Sequence, residues 1–401
     1  MNDKFDVIIV GGGIAGLTTA AMLTQGAASE SLNITLVDGQ SRPVSPVGRD
    51  IALRVSAIAT GSVGLLDEIG AWAGIDQTRV GTYETMRVWD ESSSADGGDA
   101  LRFDAAEFAA AQLGFIVENV MLQTALLEVL QKSDVQLLFD TPIESLSLRE
   151  QGPQLQLEDG RKLDADLVIG ADGARSKIRD AAGIKTKNWP YEQTAFVTHL
   201  QPAEPHGNTA LQRFLSTGPL GMLPLGDGRI SVVWSTAPEQ ADWALAASDD
   251  ELGEALSKAS DFVLGDLQVA GARGAFPLEA QHAQDYVKAG VALLGDAAHA
   301  LHPLAGQGAN LGLQDAACLA DVLATALQNG AYPGDRPVLR RYERTRKGAN
   351  AAMLHFMTGL NRLFTTDSVL LKELLTTGMR LFNYGGPIRE HVVSVALGTR
   401  R

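Results

Sequence analysis

Three aspartates carry the chemistry that this sequence offers most openly. Asp38 follows the apolar run Ile34–Val37, Asp172 follows Leu167-Val168-Ile169-Gly170-Ala171, and Asp296 follows Val291–Leu294 and Gly295. Taken singly, each reads as a turn or helix-capping aspartate. Beside a glycine loop they read differently, because ligands of doubly wound sheets gather outside the carboxyl ends of the strands. That loop is Gly11-Gly12-Gly13-Ile14-Ala15-Gly16, between the apolar run Phe5–Val10 and a helix expected over Ile14–Gln25. Gly11 suits the tight turn, Gly13 the close approach of a pyrophosphate, and Gly16 close helix-strand packing. An acid roughly 20 residues on, here Asp38, suits the adenosine ribose. The loop serves FAD and NAD alike, and three strand-end aspartates in register with it point to a long ligand.

The stretch from Leu293 to Asp315 adds a second turn of the same kind. An apolar strand stops at Gly295-Asp296, and a glycine-punctuated loop opens a helix at about Asn310, so free backbone N–H groups and the helix dipole face any ligand there. The helix has Leu313, Ala316, Ala317, Ala320, Leu323 and Leu327 along one side, and Asn329-Gly330 ends it. His299 and His302 stand three apart without a third ligand nearby, and read as loop-structuring hydrogen-bonders rather than as a metal site. Cys318, between Ala317 and Leu319, reads as buried and inert.

The elements that must position these residues suggest an α/β fold with a Rossmann-like dinucleotide-binding domain. In the first helix, Ile14, Leu17, Ala21 and Thr24 are expected towards the sheet. A second domain is expected to be a β-sheet, with strands at Thr194–Leu200, Leu211–Leu215 and Arg229–Thr236 and a hairpin turn at Gly226-Asp227-Gly228. The expected division is residues 1–75, 106–185 and 277–348 for the dinucleotide domain, and 76–105 with 186–276 for the sheet domain. A helical C-terminal segment is expected over 349–401. Its apolar stripe, including Met353, Leu354, Phe356, Met357, Leu360, Leu363 and Phe364, is expected to pack against the dinucleotide domain.

Composition narrows the classes. The chain has 401 residues, 45% of them hydrophobic, enough for a substantial core. A net charge of -15 disfavours general nucleic-acid binding. The single cysteine leaves no intrachain disulfide and suits a reducing compartment. No secretory signal precedes the first strand, and no run of about 18 apolar residues spans a membrane. Charge is uneven: Arg336–Arg401 contains 12 Lys+Arg against 4 Asp+Glu. A basic tail on an acidic body is a candidate surface for an anionic partner or lipid, and equally a solvated helix face.

The glycine loop, Asp172-Gly173 and Gly295-Asp296 together resemble the class A FAD-dependent aromatic monooxygenases, the group with the p-hydroxybenzoate hydroxylase-like fold. Within it, His302-Pro303-Leu304-Ala305-Gly306-Gln307-Gly308-Ala309-Asn310-Leu311-Gly312-Leu313-Gln314-Asp315 is similar, without a gap, to the signature of the ubiquinone-biosynthesis hydroxylases. Gly218-Pro219-Leu220, Leu223-Pro224-Leu225, Val232-Val233-Trp234 and residues 359–364 extend the resemblance over nearly the whole chain.

The resemblance implies FAD as cofactor and assigns roles by position. Gly11, Gly13, Ala15 and Gly16 would hold the pyrophosphate, Asp38 the ribose, and Arg54 would stand near the pyrophosphate. Asn119, often arginine in other branches, would contact the flavin. Gly295 and Asp296 would meet the ribityl chain, and Asp172 would brace the loop that NAD(P)H approaches. Gly306, Gln307 and Gly308 would bring backbone N–H groups to the pyrimidine edge of the ring, and the helix beginning near Asn310, with Ala309 and Asn310 among the cofactor-binding residues, would aim its positive end at the N1 and C2 carbonyl region, favouring reduced flavin. Pro303 would line the space by C4a, where this family forms a hydroperoxide from O2 that transfers one oxygen to an electron-rich ring carbon. The uncharged stretch Leu220–Pro224 would form a wall facing the flavin and suit a polyprenylated phenol, or equally be sheet core.

No second dinucleotide loop is present, so NAD(P)H would bind transiently or yield to a protein electron donor. The implied setting is cytoplasmic, with peripheral contact to the inner membrane face or a ubiquinone-biosynthesis complex through the tail. A hydroxylase of a soluble phenol and a non-catalytic scaffold subunit of such a complex remain alternative readings. Halogenases and prenyl reductases share the FAD motifs, but the halogenase pattern Trp-x-Trp-x-Ile-Pro is absent, and Trp189-Pro190-Tyr191 does not supply it.

Overall fold

The computed structural model describes residues 4–48, 50–300, 307–364 and 386. Its helices are α1 (Ile14–Gln25), α2 (Thr60–Glu68), α3 (Asn119–Leu130), α4 (Lys177–Ala181), α5 (Pro238–Ala246), α6 (Asp249–Ala259), α7 (Gln307–Gln328) and α8 (Arg336–Phe364).

The apolar runs Phe5–Val10, Leu32–Val37, Leu167–Gly170 and Val291–Leu293 lie in one six-stranded sheet, completed by Gln136–Leu138 and Val287–Lys288 at its edges. Near-continuous burial is what strands covered on both faces require, and Val7–Val10 and Leu167–Ile169 are buried throughout. The four long runs pair parallel, with only the edge strand Val287–Lys288 antiparallel, and their register sets Val37, Val10, Gly170 and Leu293 side by side in one row. The chain leaves that row towards Asp38, Gly11, Asp172 and Asp296. Four sequence-distant turns therefore share one edge of the sheet.

α1 occupies the expected residues, but its burial runs almost all round. Leu17, Thr18, Thr19, Ala20, Ala21 and Leu23 are buried, whereas Ile14 and Thr24 are only half-buried. The physical reason is that α1 contacts α3 and α7 as well as the sheet. A Cβ on Gly312 of α7 would come 3.1 Å from that of Ala15. Within α7, Leu313, Ala316, Leu319 and Leu323 are buried and Cys318 is half-buried, with burial pushing its thiol pKa up.

The second large sheet has eight strands, built around two of 17 residues, Thr186–Pro202 and Leu267–Ala283. These pair antiparallel from Thr186 opposite Ala283 to Pro202 opposite Leu267. Thr209–Leu215, Gly218–Pro224 and Ile230–Thr236 continue the sheet, and Leu225 and Gly228 close the turn expected at Gly226-Asp227-Gly228. α5 and α6 contribute Ala241, Ala244, Leu252 and Leu256 to a core with Phe196, Leu220, Met222, Val232 and Trp234. The expectation for Leu220–Pro224 as one wall is thereby corrected: side chains alternate along a strand, so Leu220 and Met222 belong to the helix-covered face and Gly221 and Leu223 to the other.

α8 is continuous through residues 348 and 349, where a new segment was expected to begin. Val338, Leu339 and Tyr342 join the core of the six-stranded sheet. Met357 and Met353 instead pack on Val88 and Phe214 of the eight-stranded sheet, which corrects the expectation for these two residues; the side chains of Leu360, Leu363 and Phe364 lie outside the described residues. Phe364 ends the described helix, and the segment beyond lies outside the described residues apart from Gly386.

Candidate active site

The glycine loop is shaped by three separate constraints. Gly11 has φ +116°, and a Cβ there would lie 2.2 Å from the Ala171 carbonyl oxygen, so the loop and the Asp172 turn touch backbone to backbone. A Cβ at Gly16 would lie 2.0 Å from the Gly11 oxygen. At Gly13, the residue just before α1, it would meet nothing within 4 Å. α1 has no side-chain cap and no acid in its first turn, so its first N–H groups face an open approach.

Each aspartate at this edge does a different job. Asp38 accepts from the Gly12 N–H through Oδ2 and from the Gln40 N–H through Oδ1 at 2.7 Å. Its carboxylate therefore braces the glycine loop directly, which ribose contact alone would not require. Asp172 accepts from the Ser176 hydroxyl at 2.5 Å and the Ile178 N–H at 3.1 Å, holding the entry to α4, and burial raises its pKa. Asp296 differs from both. Its side chain is exposed, yet surrounding protein raises its pKa through desolvation, opposed by the nearby His299 and Arg54.

Arg54 is exposed, with its guanidinium 5.9 Å from the centroid of the Phe276 ring. The segment leading to it is fixed by a pair that the sequence did not reveal. Arg79 meets Glu118 through Nε at 2.7 Å and Nη2 at 3.0 Å, and donates to the Gly48 and Asp50 carbonyls at 2.8 and 2.7 Å. Glu118 also accepts from the Ala52 N–H at 2.6 Å. Asn119, next in sequence, accepts from Ser56 Oγ at 2.7 Å and donates its N–H to the Arg54 carbonyl. In this structure Asn119 holds the Arg54 strand.

The helix after the signature loop starts at Gln307, about one turn before the expected Asn310. Asn310 thus lies inside α7, buried, and clamps the strand Val55–Ala59. Its Oδ1 accepts from the Ala59 N–H at 2.9 Å and its Nδ2 donates to the Ala57 carbonyl at 2.8 Å. A Cβ on Gly308 would meet nothing within 4 Å, and Ala309 is half-buried. His302, Pro303 and Gly306 lie outside the described residues, as does the side chain of Gln307.

Two further side chains tie the turns together. Gln281 donates to the carbonyls of Ala174 at 2.5 Å and Asp296 at 3.1 Å, and Arg179 donates to those of Ala174 at 2.9 Å and Ala297 at 3.3 Å. Gln123 adds a bond to the Gly12 carbonyl at 3.0 Å. No spacing rule points to these residues, because each makes one of its bonds across more than 100 positions of sequence. His299, expected to structure its loop, does so by meeting Asp315 Oδ2 at 2.5 Å.

The cross-sheet register also defines a surface. Gly274, Val197, Val233 and Gly221 stand side by side on four neighbouring strands, on the face away from α5 and α6. All four are half-buried, and Phe276 extends the patch. Leu53, next to Arg54, abuts Gly274: a Cβ there would lie 2.8 Å from its Cδ2.

This architecture is that of the FAD-dependent monooxygenases. p-Nitrophenol 4-monooxygenase PnpA from Pseudomonas putida DLL-E4 matches with a TM-score of 0.78 at 19% identity, over 100% of both chains. Klebsiella pneumoniae HpxO, solved with FAD and uric acid, matches with a TM-score of 0.74 at 18% identity, over 100% of this chain and 97% of that one. The FAD binding domain family matches residues 4–357. Among relatives, the 3-demethoxyubiquinol 3-hydroxylase of Escherichia coli K12 is 33% identical, with 99% of each chain covered. The ubiquinone biosynthesis monooxygenase COQ6 of Mus musculus is 34% identical, over 98% of this chain and 90% of that one. The ubiquinone hydroxylase UbiL of Rhodospirillum rubrum is 34% identical over the same shares. The chain belongs to the FAD-binding monooxygenase family, in the branch of the ubiquinone-biosynthesis hydroxylases. Its residues fit the cofactor: uncapped amides at α1 suit a pyrophosphate, and the accessible Asp296 carboxylate suits a polyol chain.

Proposed function

We propose that this protein hydroxylates the aromatic ring of a polyprenylated phenol in ubiquinone biosynthesis. The observation that carries the substrate class is the row Gly274, Val197, Val233 and Gly221. Two glycines and two valines make a flat floor with no ionisable side chain, and Phe276 flanks it. Burial of an apolar ring and chain is favoured there by roughly 25 cal/mol per Å². A phenol carrying its own carboxylate would find no cation on the floor itself and would depend on Arg54.

Residues 1–75, 106–185 and 277–348 would form the FAD-binding domain, and 76–105 with 186–276 the substrate domain. In this reading Gly11, Gly13, Ala15 and Gly16 hold the pyrophosphate, and Arg54 adds a cation near it. Asp38 fixes the loop and offers its remaining lone pairs to the ribose. Gly295 and Asp296 take the ribityl hydroxyls, Asn119 positions Arg54, and Gly308, Ala309 and Asn310 set the helix start beside the ring. Pro303, Gly306 and Gln307 border the reacting edge. Bound FAD, once reduced, supplies the electrons for oxygen activation. NAD(P)H is proposed as the transient reductant, with Asp172 and α4 bracing its approach.

A cytoplasmic setting with peripheral membrane contact through the basic tail is part of the same proposal. Among the described residues no helix is long and apolar enough to cross a membrane. Quinone profiling of a strain lacking this gene tests the reading. Accumulation of a prenylated precursor short of one ring hydroxyl, reversed by the intact gene, is expected; an unchanged quinone profile would move the substrate elsewhere.

A further inference from the structure

Asp315 has no role in the proposed chemistry, yet it is the most heavily engaged carboxylate among the described residues. It is fully buried on α7 and accepts from four donors on three other elements. These are the Gly295 N–H at 3.1 Å, His299 Nε2 at 2.5 Å, Arg346 Nε at 2.7 Å and Asn350 Nδ2 at 3.1 Å. Arg346 also donates to Asn350 Oδ1 at 3.0 Å, and Tyr286 stacks on the His299 ring at 5.9 Å. Burial alone would raise the carboxyl pKa; His299 and Arg346 outweigh it and bring it down to about 2. The group is therefore an anion held on both sides.

We infer that Asp315 is a positioning residue for Asp296, acting through the backbone of Gly295. The inference rests on the proposed assignment of Asp296 to the cofactor's polyol chain. Gly295 is the one backbone donor among the four partners, it has φ +57°, and it directly precedes Asp296. A turn in that conformation gains nothing from a side chain of its own, so its orientation rests on its backbone bonds: Gln281 and Arg179 hold the carbonyls of Asp296 and Ala297, and Asp315 alone holds the N–H that enters the turn. From the other side Arg346 and Asn350 hold the same carboxylate, and α8 continues to Met353 and Met357 on the eight-stranded sheet. One anion thus fixes the Asp296 turn to the helix that spans both sheets.

Glu343 provides the matched comparison. It is buried on α8, beside Arg346 and Asn350 in sequence, and accepts from the Tyr286 N–H at 2.8 Å, but none of its hydrogen bonds goes to the Gly295 turn. A merely structural role predicts that Asp315→Asn and Glu343→Gln act alike, lowering thermal stability with no separate effect on cofactor affinity.

The test is a double-mutant cycle on the full-length protein, reading FAD affinity by fluorescence titration and apo-protein melting in parallel. Asp315→Asn should weaken FAD about tenfold in the wild-type background, but less than about twofold in Asp296→Asn, because the effect runs through Asp296. Glu343→Gln should leave FAD affinity unchanged. Equal losses from Asp315→Asn in both backgrounds would overturn the positioning role. An Asp296→Asn protein that binds FAD as tightly as wild type would overturn the underlying assignment, and the inference with it. If Asp315→Asn does not fold, Arg346→Lys carries the same cycle, since it keeps the cation and loosens the fork that orients Asp315.

Discussion

The two turns that flank the candidate site are built by opposite means. Around Gly11–Gly16 the structure works mainly by leaving side chains out: backbone meets backbone at Ala171 and Gly13 leaves its approach open, while Asp38 and Gln123 grip the loop at Gly12 alone. Around Gly295–Asp296 it works by bringing side chains in, with Arg179 reaching from a distant part of the chain and Gln281, His299 and Asp315 from the strands and helix on either side of the turn. A loop made of omissions is rigid because nothing else fits. A loop made of additions is only as rigid as its supports, which makes it the half that substitutions can tune.

That contrast breaks first at the glycines. Gly11→Ala should cost more than about 4 kcal/mol and abolish soluble holoprotein, since a Cβ would collide with the Ala171 carbonyl at a positive φ. Gly13→Ala should leave stability within about 0.5 kcal/mol and still weaken FAD about tenfold, because its Cβ enters open space that the pyrophosphate needs. Chemical denaturation and FAD titration of both proteins check the pair. Next comes the support of Arg54. Glu118→Ala strands the Arg79 guanidinium and the Ala52 N–H, and should cost about 3 kcal/mol in urea denaturation. Asn310→Ala removes both bonds to the Val55–Ala59 strand and should cost about 2 kcal/mol by the same measurement.

How far the sequence could be read follows the same division. The Phe5–Val10 strand, α1 and the three strand-end aspartates were legible because their signals are local: an apolar run, fixed glycine spacing, an acid at the next strand end. The start of α7 was placed about a turn late, because glycines at 306, 308 and 312 resemble loop punctuation, although Gly312 is in fact the close contact with Ala15. Asn310 carried a family expectation of cofactor contact, and its side chain has a further role that no spacing signals, clamping a strand more than 200 residues away. Arg79 with Glu118, Gln281, and Arg346 with Asp315 left no local trace, since each pair exists only once the fold has brought it together.

The smallest expected effect separates stability from binding at one atom group. Asp296 has a raised pKa, so its contribution to stability is fully present below the ordinary aspartate range and is lost as pH rises through its native pKa. Asp296→Asn should therefore make the apoprotein melt higher than wild type at neutral pH, with the difference vanishing near pH 3, while its FAD affinity falls. Melting curves across pH would show whether the carboxylate is retained for binding rather than for folding.

Isotope transfer tests the central claim most directly. The purified protein, supplied with FAD, NAD(P)H, ¹⁸O2 and a polyprenylated phenol in detergent, should yield a ring-hydroxylated product carrying one labelled oxygen, with the other in water. Oxidation of NAD(P)H that releases hydrogen peroxide and leaves the phenol unlabelled would contradict it.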